Sequence, residues 1–167
     1  MSATVKVETP NERDIVVTRI FSAPADLIFK CHTDPEYVQQ WLLGPDGWHM
    51  PLCEIDLRVG GHYHYIWREN DADNQFGAKG TYREIKAPEY IVNTERMYGF
   101  PGAIEGPDGE ALCTLSLVEN QGRTTLTSTI RFANSDIRDG ALASGMTDGM
   151  NKSYDRMEEL IFKKSGQ

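Results

Sequence analysis

Apolar and polar residues alternate with a period of two through the middle of this chain, and helical periods flank that region on both sides. Residues 14–21 are rich in β-branched side chains, which favours a first strand. Pro24 predicts the start of a short buried helix, because proline fits a first helical turn. Asp34 followed by Pro35 predicts a second short helix that continues through Leu42. The chain is therefore predicted to begin as strand, helix, helix.

The middle of the chain predicts an antiparallel meander of six strands. From Cys53 to Val59 apolar and charged residues alternate, as in a sheet with one buried and one solvent-facing side. The pair Gly60-Gly61 predicts a sharp turn or bulge. Beyond it, an aromatic row of Tyr63, Tyr65 and Trp67 faces one side of the next strand. The remaining strands are predicted over 76–85, 90–98, 113–117 and 124–132.

A long amphipathic helix is predicted from Asp136 to Lys164. Its apolar face consists of Leu142, Met146, Met150, Met157, Leu160 and Ile161. Its charged side consists mostly of Asp139, Asp148, Lys152, Asp155, Glu159 and Lys163. Gly145 and Gly149 lie inside it, and each costs roughly 1 kcal/mol relative to alanine in a helix interior. That cost suggests either close backbone packing or a hollow beside the helix.

Length and charge narrow the class of protein. At 167 residues the chain fits one domain, and we expect a flexible N-terminal arm over residues 1–12 followed by a single domain over 13–165. Whether the arm pairs as an edge strand is left open by the sequence. A formal net charge of −8 argues against nucleic acid as a partner, because phosphate binding depends on clustered Lys and Arg. Cys31, Cys53 and Cys113 form no Cys-x-x-Cys pair, which favours free thiols in a reducing cytoplasm. No stretch approaches the ~20 apolar residues of a membrane span, so a cytoplasmic location without membrane insertion is expected.

Several short motifs occur in an order that resembles one known family. These motifs are Phe21-x-x-Pro24, Asp34-Pro35 with Trp41, Asp56-x-Arg58-x-Gly60-Gly61 before the aromatic row, Gly80-Thr81-Tyr82, and the Gly-rich last helix. Over residues 13–163 the pattern resembles the activator of heat-shock-protein ATPase homologue family. That family belongs to the SRPBCC, or helix-grip, superfamily of START domains, polyketide cyclases and the major birch pollen allergen. The resemblance implies an α+β helix-grip fold, with a curved antiparallel sheet of six or seven strands wrapped around a long C-terminal helix and two short helices after the first strand.

The chain departs from this family in two ways. Met146 and Met150 stand in the last helix where family members often carry tryptophan, which would alter the shape of a pocket. The eukaryotic co-chaperone that names the family also has a separate N-terminal chaperone-binding domain, for which 167 residues leave no room. Stimulation of a heat-shock ATPase by this chain alone is therefore not expected.

Inward-facing aromatic and polar side chains carry the candidate chemistry. Buried phenol and indole groups need hydrogen-bond partners, which a partly wet cavity supplies. The strand over 90–98 turns one charged group inward in either register, Glu95 or Arg96, and a buried charge is rarely tolerated without a partner. The expected ligand-binding residues are Trp41, Tyr63, Tyr65, Trp67, Tyr82, Glu95, Met146 and Met150.

His62 and His64 share one face of a strand, a spacing that two ligands of a zinc site can use. A third ligand is not evident nearby, and alternation directs both histidines away from the aromatic row. No metal and no cofactor is therefore expected. The sequence also shows no nucleophile with an adjacent base and no phosphate-binding glycine loop, so it gives catalysis no positive support.

Three functions remain open. The first is a module that binds a small hydrophobic or aromatic molecule in a cavity between the sheet and the last helix. The second is a cyclase- or hydrolase-type enzyme in which Glu95 or a cavity tyrosine moves a proton. The third is a protein-interaction module that acts through the outer face of the sheet. We prefer the first, because fold alone does not determine function and only the cavity is argued from residues. A homodimer is left open as a further association.

Overall fold

The computed structural model describes residues 4–165, and within them it contains one open antiparallel sheet and four α-helices. The strands are β1 Lys6–Glu8, β2 Asp14–Phe21, β3 Trp48–Ile55, β4 His62–Glu69, β5 Gln75–Lys86, β6 Tyr90–Tyr98, β7 Glu110–Asn120 and β8 Arg123–Arg131. The helices are α1 Ala25–Thr33, α2 Pro35–Trp41, α3 Ser135–Ala143 and α4 Met146–Ser165. The spatial order of the strands is β1-β2-β8-β7-β6-β5-β4-β3. The N-terminal strand β2 thus pairs with the last strand, β8. The predicted α+β helix-grip fold is confirmed.

The core lies between the inner face of the sheet and the helices. Alternate residues of β2 point inward, so Ile15, Val17 and Phe21 are buried while Ile20 is exposed. The later part of α4 covers them with its buried side chains, Met157, Leu160 and Ile161. The short helices begin where they were predicted: Asp34 caps α2 by accepting a hydrogen bond from the Glu36 amide at 3.0 Å, with Pro35 in the first turn.

The sheet has one strand more than the upper number predicted. Lys6–Glu8 pairs antiparallel with β2, with Val7 opposite Val17. Part of the predicted N-terminal arm therefore forms an edge strand, the pairing that the sequence left open. Three residues of mixed polarity carry too little alternation to be recognised as a strand in the sequence, and only the neighbouring edge of β2 determines their conformation.

The third strand lies five residues earlier than its predicted start. Alternation placed a strand over 53–59, but β3 runs over Trp48–Ile55, and Leu57 and Val59 are 39% and 64% exposed in the following turn. Pro51 hides the true strand in the sequence, because proline cannot donate a ladder hydrogen bond. It is tolerated because β3 is an edge strand whose register shifts between His49 and Leu52.

The predicted single C-terminal helix is two helices. Helix α3 ends at Ala143 and α4 begins at Met146, with Gly145 between them at φ +86°. This left-handed conformation suits glycine, which has no Cβ, and it ends a helix in the usual way. The amphipathic period continues across the break, so periodicity alone could not reveal it. None of the helices within the described residues is long and apolar enough to cross a membrane.

Candidate functional site

The turn between β3 and β4 fixes where the aromatic row begins. The Gly60 amide donates to the Tyr82 carbonyl at 2.8 Å, and the Tyr82 amide donates to the Gly61 carbonyl at 2.9 Å. Gly60 has φ +86°, and a Cβ on Gly61 would lie 2.1 Å from the Asp56 carbonyl oxygen, so both positions require glycine. The Asp56-to-Gly61 motif therefore anchors the turn to β5 and sets the register that turns Tyr63 inward.

A glycine on the neighbouring strand makes room for the Tyr63 ring. Gly80 lies opposite Tyr63 in the sheet, and a Cβ there would lie 2.7 Å from the ring carbon Cε1 of Tyr63. The same Cβ would lie 1.8 Å from the Thr94 carbonyl oxygen on β6. The absence of a side chain at position 80 lets the Tyr63 ring cross β5 and bring its hydroxyl to β6.

The Tyr63 hydroxyl is the centre of a polar cluster on the inner face. It donates to the Thr94 carbonyl at 2.8 Å and accepts from Asn93 Nδ2 at 3.1 Å. Glu95 Oε1 lies 3.4 Å from the same hydroxyl. Glu95 thus faces the helices, whereas Arg96 lines the outer face of the sheet and contacts the Ile104 carbonyl. The register of the strand over 90–98, which the sequence left open, is settled by these contacts.

The environment of Glu95 makes its carboxyl group harder to ionise than an exposed glutamate. Burial raises the pKa of its carboxyl group, and hydrogen bonds with Tyr63 and Cys113 oppose this shift without cancelling it. Cys113 Sγ lies 3.9 Å from Oε2, and both burial and the Glu95 charge raise the pKa of that thiol. Because Tyr63 has a single hydroxyl proton and the Thr94 carbonyl accepts it, a protonated Glu95 can in turn donate to the Tyr63 oxygen.

Three tyrosine rings form a continuous aromatic surface beside this cluster. The ring centroids of Tyr63 and Tyr65 are 5.0 Å apart, and those of Tyr63 and Tyr82 are 5.5 Å apart. Tyr63 and Tyr82 are buried, while Tyr65 retains accessible surface. Burial raises the pKa of all three phenols, so their hydroxyls remain neutral. The structure thus brings together Tyr63, Tyr65, Tyr82 and Glu95 of the predicted set.

The two predicted tryptophans lie in the core and use backbone partners. Trp41 Nε1 donates to the Cys31 carbonyl at 2.7 Å, and its ring stacks on Tyr154 of α4 with centroids 6.1 Å apart. Trp67 Nε1 donates to the Leu42 carbonyl at 2.8 Å, and its ring also contacts Tyr65. Both indole N–H groups are therefore satisfied by the protein itself, without a polar cavity. The tryptophans link the short helices to the rest of the core.

The first turns of α4 pack less tightly than its later part. Met146 and Met150 are half-buried against the core, whereas Met157 is fully buried. A Cβ on Gly149 would have no atom within 4 Å. Gly149 is itself exposed, so close packing is excluded there and the free space beside it is open to solvent.

A buried arginine that was not predicted as a site residue connects the sheet to α4. The Arg19 side chain is fully buried, with Nη1 2.8 Å from Asp155 Oδ1 and Nη2 in contact with Glu158. Nη1 also donates to the Asn151 carbonyl at 3.2 Å. Asp155, predicted on the solvent side, thus faces Arg19. The signal was present in the alternation of β2, which places residue 19 inward, where a cation requires carboxylate partners. Asn93 and Cys113 were also absent from the predicted site.

The outer face carries the two histidines, as alternation predicted. His62 Nδ1 lies 3.1 Å from Thr81 Oγ1, and His64 Nε2 contacts the Tyr98 hydroxyl. They border an open depression of about 380 Å³ that also exposes Lys79. Within residues 4–165, no group of three or more His, Cys, Asp or Glu side chains is placed to hold a metal ion. The three cysteines are free.

An antiparallel sheet that packs around a C-terminal helix, with two short helices after the first long strand, defines a helix-grip protein. The family model described as "Activator of Hsp90 ATPase homolog 1-like protein" matches residues 22–161. The chain belongs to this family, and the resemblance inferred from its motifs is confirmed. It matches no curated protein sequence.

Solved structures support the same fold. A Rhodobacter sphaeroides protein superposes with a TM-score of 0.84 at 21% identity, covering 95% of this chain and 98% of that one. A Nitrosomonas europaea protein superposes with a TM-score of 0.81 at 20% identity, covering 95% of this chain and 100% of that one. A Staphylococcus epidermidis protein superposes with a TM-score of 0.79 at 25% identity, covering 95% of this chain and 94% of that one. At these identities the similarity establishes the fold alone. Any ligand has to be inferred from the residues of this chain.

Proposed function

We propose that this protein binds a small hydrophobic or aromatic molecule between the inner face of the sheet and the start of α4. The observation that carries the proposal concerns Glu95, Tyr65 and Cys113. Burial dominates the pKa shift of each, yet each keeps some accessible surface. Partly accessible side chains on the inner face support a recess between the sheet and the helices, because a solid core would cover them.

The helix side of this hollow has matching properties. Met146 and Met150 are half-buried against the core cluster that includes Tyr63 and Tyr82, and methionine adapts its shape to different apolar ligands. The site thus combines an apolar, adaptable wall on α4 with aromatic rings and a few polar groups on the sheet, which is the composition of a ligand pocket.

The test is native mass spectrometry of gently purified protein, followed by titration with the neutral fluorescent probe N-phenyl-1-naphthylamine. We expect a retained small-molecule mass or probe binding. Cys113→Phe and Met150→Phe fill the hollow from the sheet and from the helix, and both should abolish binding. Thr114→Phe on the outer face of β7 is the matched control and should bind normally. Circular dichroism verifies that each variant folds.

Two results would contradict this proposal. One is a wild-type protein that retains no mass and binds no probe. The other is equal probe binding by Cys113→Phe, Met150→Phe and the Thr114→Phe control, since the probe would then occupy another surface. The polar outer depression near His62 and His64 is the surface to test in that case.

A proton-transferring enzyme of the cyclase or hydrolase type is a second candidate function. It is favoured by Glu95, whose raised pKa brings it closer to the range in which a carboxyl group exchanges protons near neutral pH. Glu95→Gln preserves size and hydrogen bonding but removes the titration. In an enzyme this change abolishes turnover while ligand remains bound, and in a binding protein there is no turnover to lose.

A further inference from the structure

Two charged side chains on the inner face differ in how their charges are offset. Arg19 is neutralised by Asp155 and Glu158 from α4. Glu95 has no such partner: among the ion pairs of the described residues, none includes it. Its contacts are a phenol and a thiol, which carry no positive charge. A carboxylate placed in this way is costly unless it is protonated or meets a cation from outside the chain.

Aromatic rings lie next to this unpaired carboxyl group. The Tyr63 hydroxyl contacts Glu95, and its ring adjoins those of Tyr65 and Tyr82. The charge of Glu95 also reaches Tyr65, where it raises the pKa of the phenol. The face of an aromatic ring attracts cations, and this attraction is strongest where water is excluded. The carboxylate and the rings therefore favour the same sign of ligand charge.

The same arrangement disfavours an anion. A ligand carboxylate would meet Glu95 without gaining a free cation, because Nη1 and Nη2 of Arg19 already contact two carboxylates and the Asn151 carbonyl, although its buried Nε has no hydrogen-bond partner. Arg19, Asp155 and Glu158 together carry one negative charge before Glu95 is counted, and the whole chain carries −8. Both the local and the overall charge attract cations.

We propose that the site accepts an organic cation, an aromatic or apolar molecule whose ammonium group lies against Glu95 and whose body lies against the rings of Tyr63, Tyr65 and Tyr82. The ligand supplies the counter-charge that the chain does not provide. This inference rests on the proposed function, because it requires the same hollow.

Three naphthalene compounds of similar shape test the sign of the ligand charge: 1-naphthylmethylamine, which is a cation, 1-naphthalenemethanol, which is neutral, and 1-naphthoate, which is an anion. Titration calorimetry at neutral pH gives their affinities. We expect the amine to bind about tenfold more tightly than the alcohol, a difference of about 1.4 kcal/mol, and the anion to bind most weakly. Glu95→Gln should remove the preference for the amine and leave binding of the alcohol. Glu84→Gln removes an exposed carboxylate from β5 and should leave the preference unchanged.

The pH dependence of the wild-type protein provides a second measurement that needs no variant. The titratable groups facing Glu95 are Tyr63 and Tyr65 from β4 and Cys113 from β7, and their raised pKa values keep them neutral through neutral pH. The acids of α4, Asp155 and Glu158, are engaged by Arg19. Affinity for the amine should therefore rise with pH as Glu95 ionises, at higher pH than an exposed glutamate because burial raises its pKa. Affinity for the alcohol should stay flat or fall.

The outcomes separate the two proposals. If the alcohol binds as tightly as the amine, and Glu95→Gln changes neither, the organic-cation inference is wrong while the binding function stands. If the alcohol binds more tightly and loses affinity in Glu95→Gln, the ligand instead accepts a hydrogen bond from a protonated Glu95, which also overturns the inference. If none of the three compounds binds and the neutral probe also fails, the binding function itself is contradicted.

Discussion

At the scale of single residues, Glu95 is held on the inner face of the sheet by its strand register, between the Tyr63 hydroxyl and the Cys113 thiol. These neighbours are weak substitutes for water around a carboxylate, and burial therefore raises its pKa. A group with a higher pKa in the folded state than in the unfolded chain binds protons more tightly when folded. Its contribution to the free energy of unfolding is therefore largest at low pH and decreases as pH rises.

We predict that Glu95→Gln stabilises the ligand-free protein by an amount that grows as pH rises. The folded state gains stability from the Glu95 proton at low pH and loses it as pH increases from the unfolded pKa of about 4.3 through the raised folded pKa. Glutamine carries no such dependence. Urea unfolding of both proteins at several pH values measures the difference, with Glu84→Gln as the exposed control. A constant difference across this range would mean that Glu95 ionises as freely in the folded state as in the unfolded chain.

At the scale of elements, the end of the chain is divided by one residue. Gly145 adopts φ +86° between α3 and α4, whereas Gly149, four residues later, lies in the first turn of α4 with open space around it. The two glycines look alike in the sequence, but their backbone conformations differ. Substitution by alanine should therefore have opposite effects at the two sites.

We predict that Gly145→Ala destabilises the fold by about 1–2 kcal/mol, because a Cβ strains the left-handed conformation. Gly149→Ala should stabilise it by up to about 1 kcal/mol, because alanine is the better helix former and meets no atom there. Chemical denaturation of both variants measures the two free energies of unfolding. Effects of the same sign would show that α3 and α4 form one continuous helix in solution.

At the scale of the whole molecule, the contacts of Arg19 join the two layers of the fold. The guanidinium projects from β2 and is fully buried, while its partners Asp155 and Glu158 on α4 are 43% and 41% exposed. An ion pair of this kind adds little net stability, because burial of the cation is costly. Removing the partners, however, leaves the buried cation uncompensated.

We predict that Asp155→Ala combined with Glu158→Ala costs roughly 3 kcal/mol, and more than the sum of the single substitutions, since either carboxylate alone can still offset Arg19. Introducing Arg19→Met into the double variant should restore part of the loss. Glu159→Ala on the exposed side of α4 is the control and should be nearly neutral. If the loss of unfolding free energy in the double variant, measured by urea unfolding, equals the sum of the losses in the two single variants, Arg19 does not couple the two carboxylates.

The local patterns of the sequence were enough to identify most elements. Alternation located five of the six meander strands to within a few residues, and Asp34-Pro35 marked the start of α2. The motifs from Phe21 to the last helix led to the correct family. These features depend on residues that are close together in the chain, where side-chain period, proline geometry and capping act directly. Two exceptions, β1 and the start of β3, are edge segments that owe their conformation to one neighbour. The third is the helix break at Gly145, which the amphipathic period conceals.

Relations between distant residues were decided only by the tertiary structure. The sequence placed either Glu95 or Arg96 inward, and the choice followed from pairing of the β6 strand with β5 and β7. The meeting of Arg19 with Asp155 spans more than a hundred residues. In the same way, the backbone carbonyls that satisfy Trp41 and Trp67 belong to other segments. A sequence shows which side chains need partners, but strand register and helix docking determine which partners they find, because burial energy depends on the whole packed arrangement.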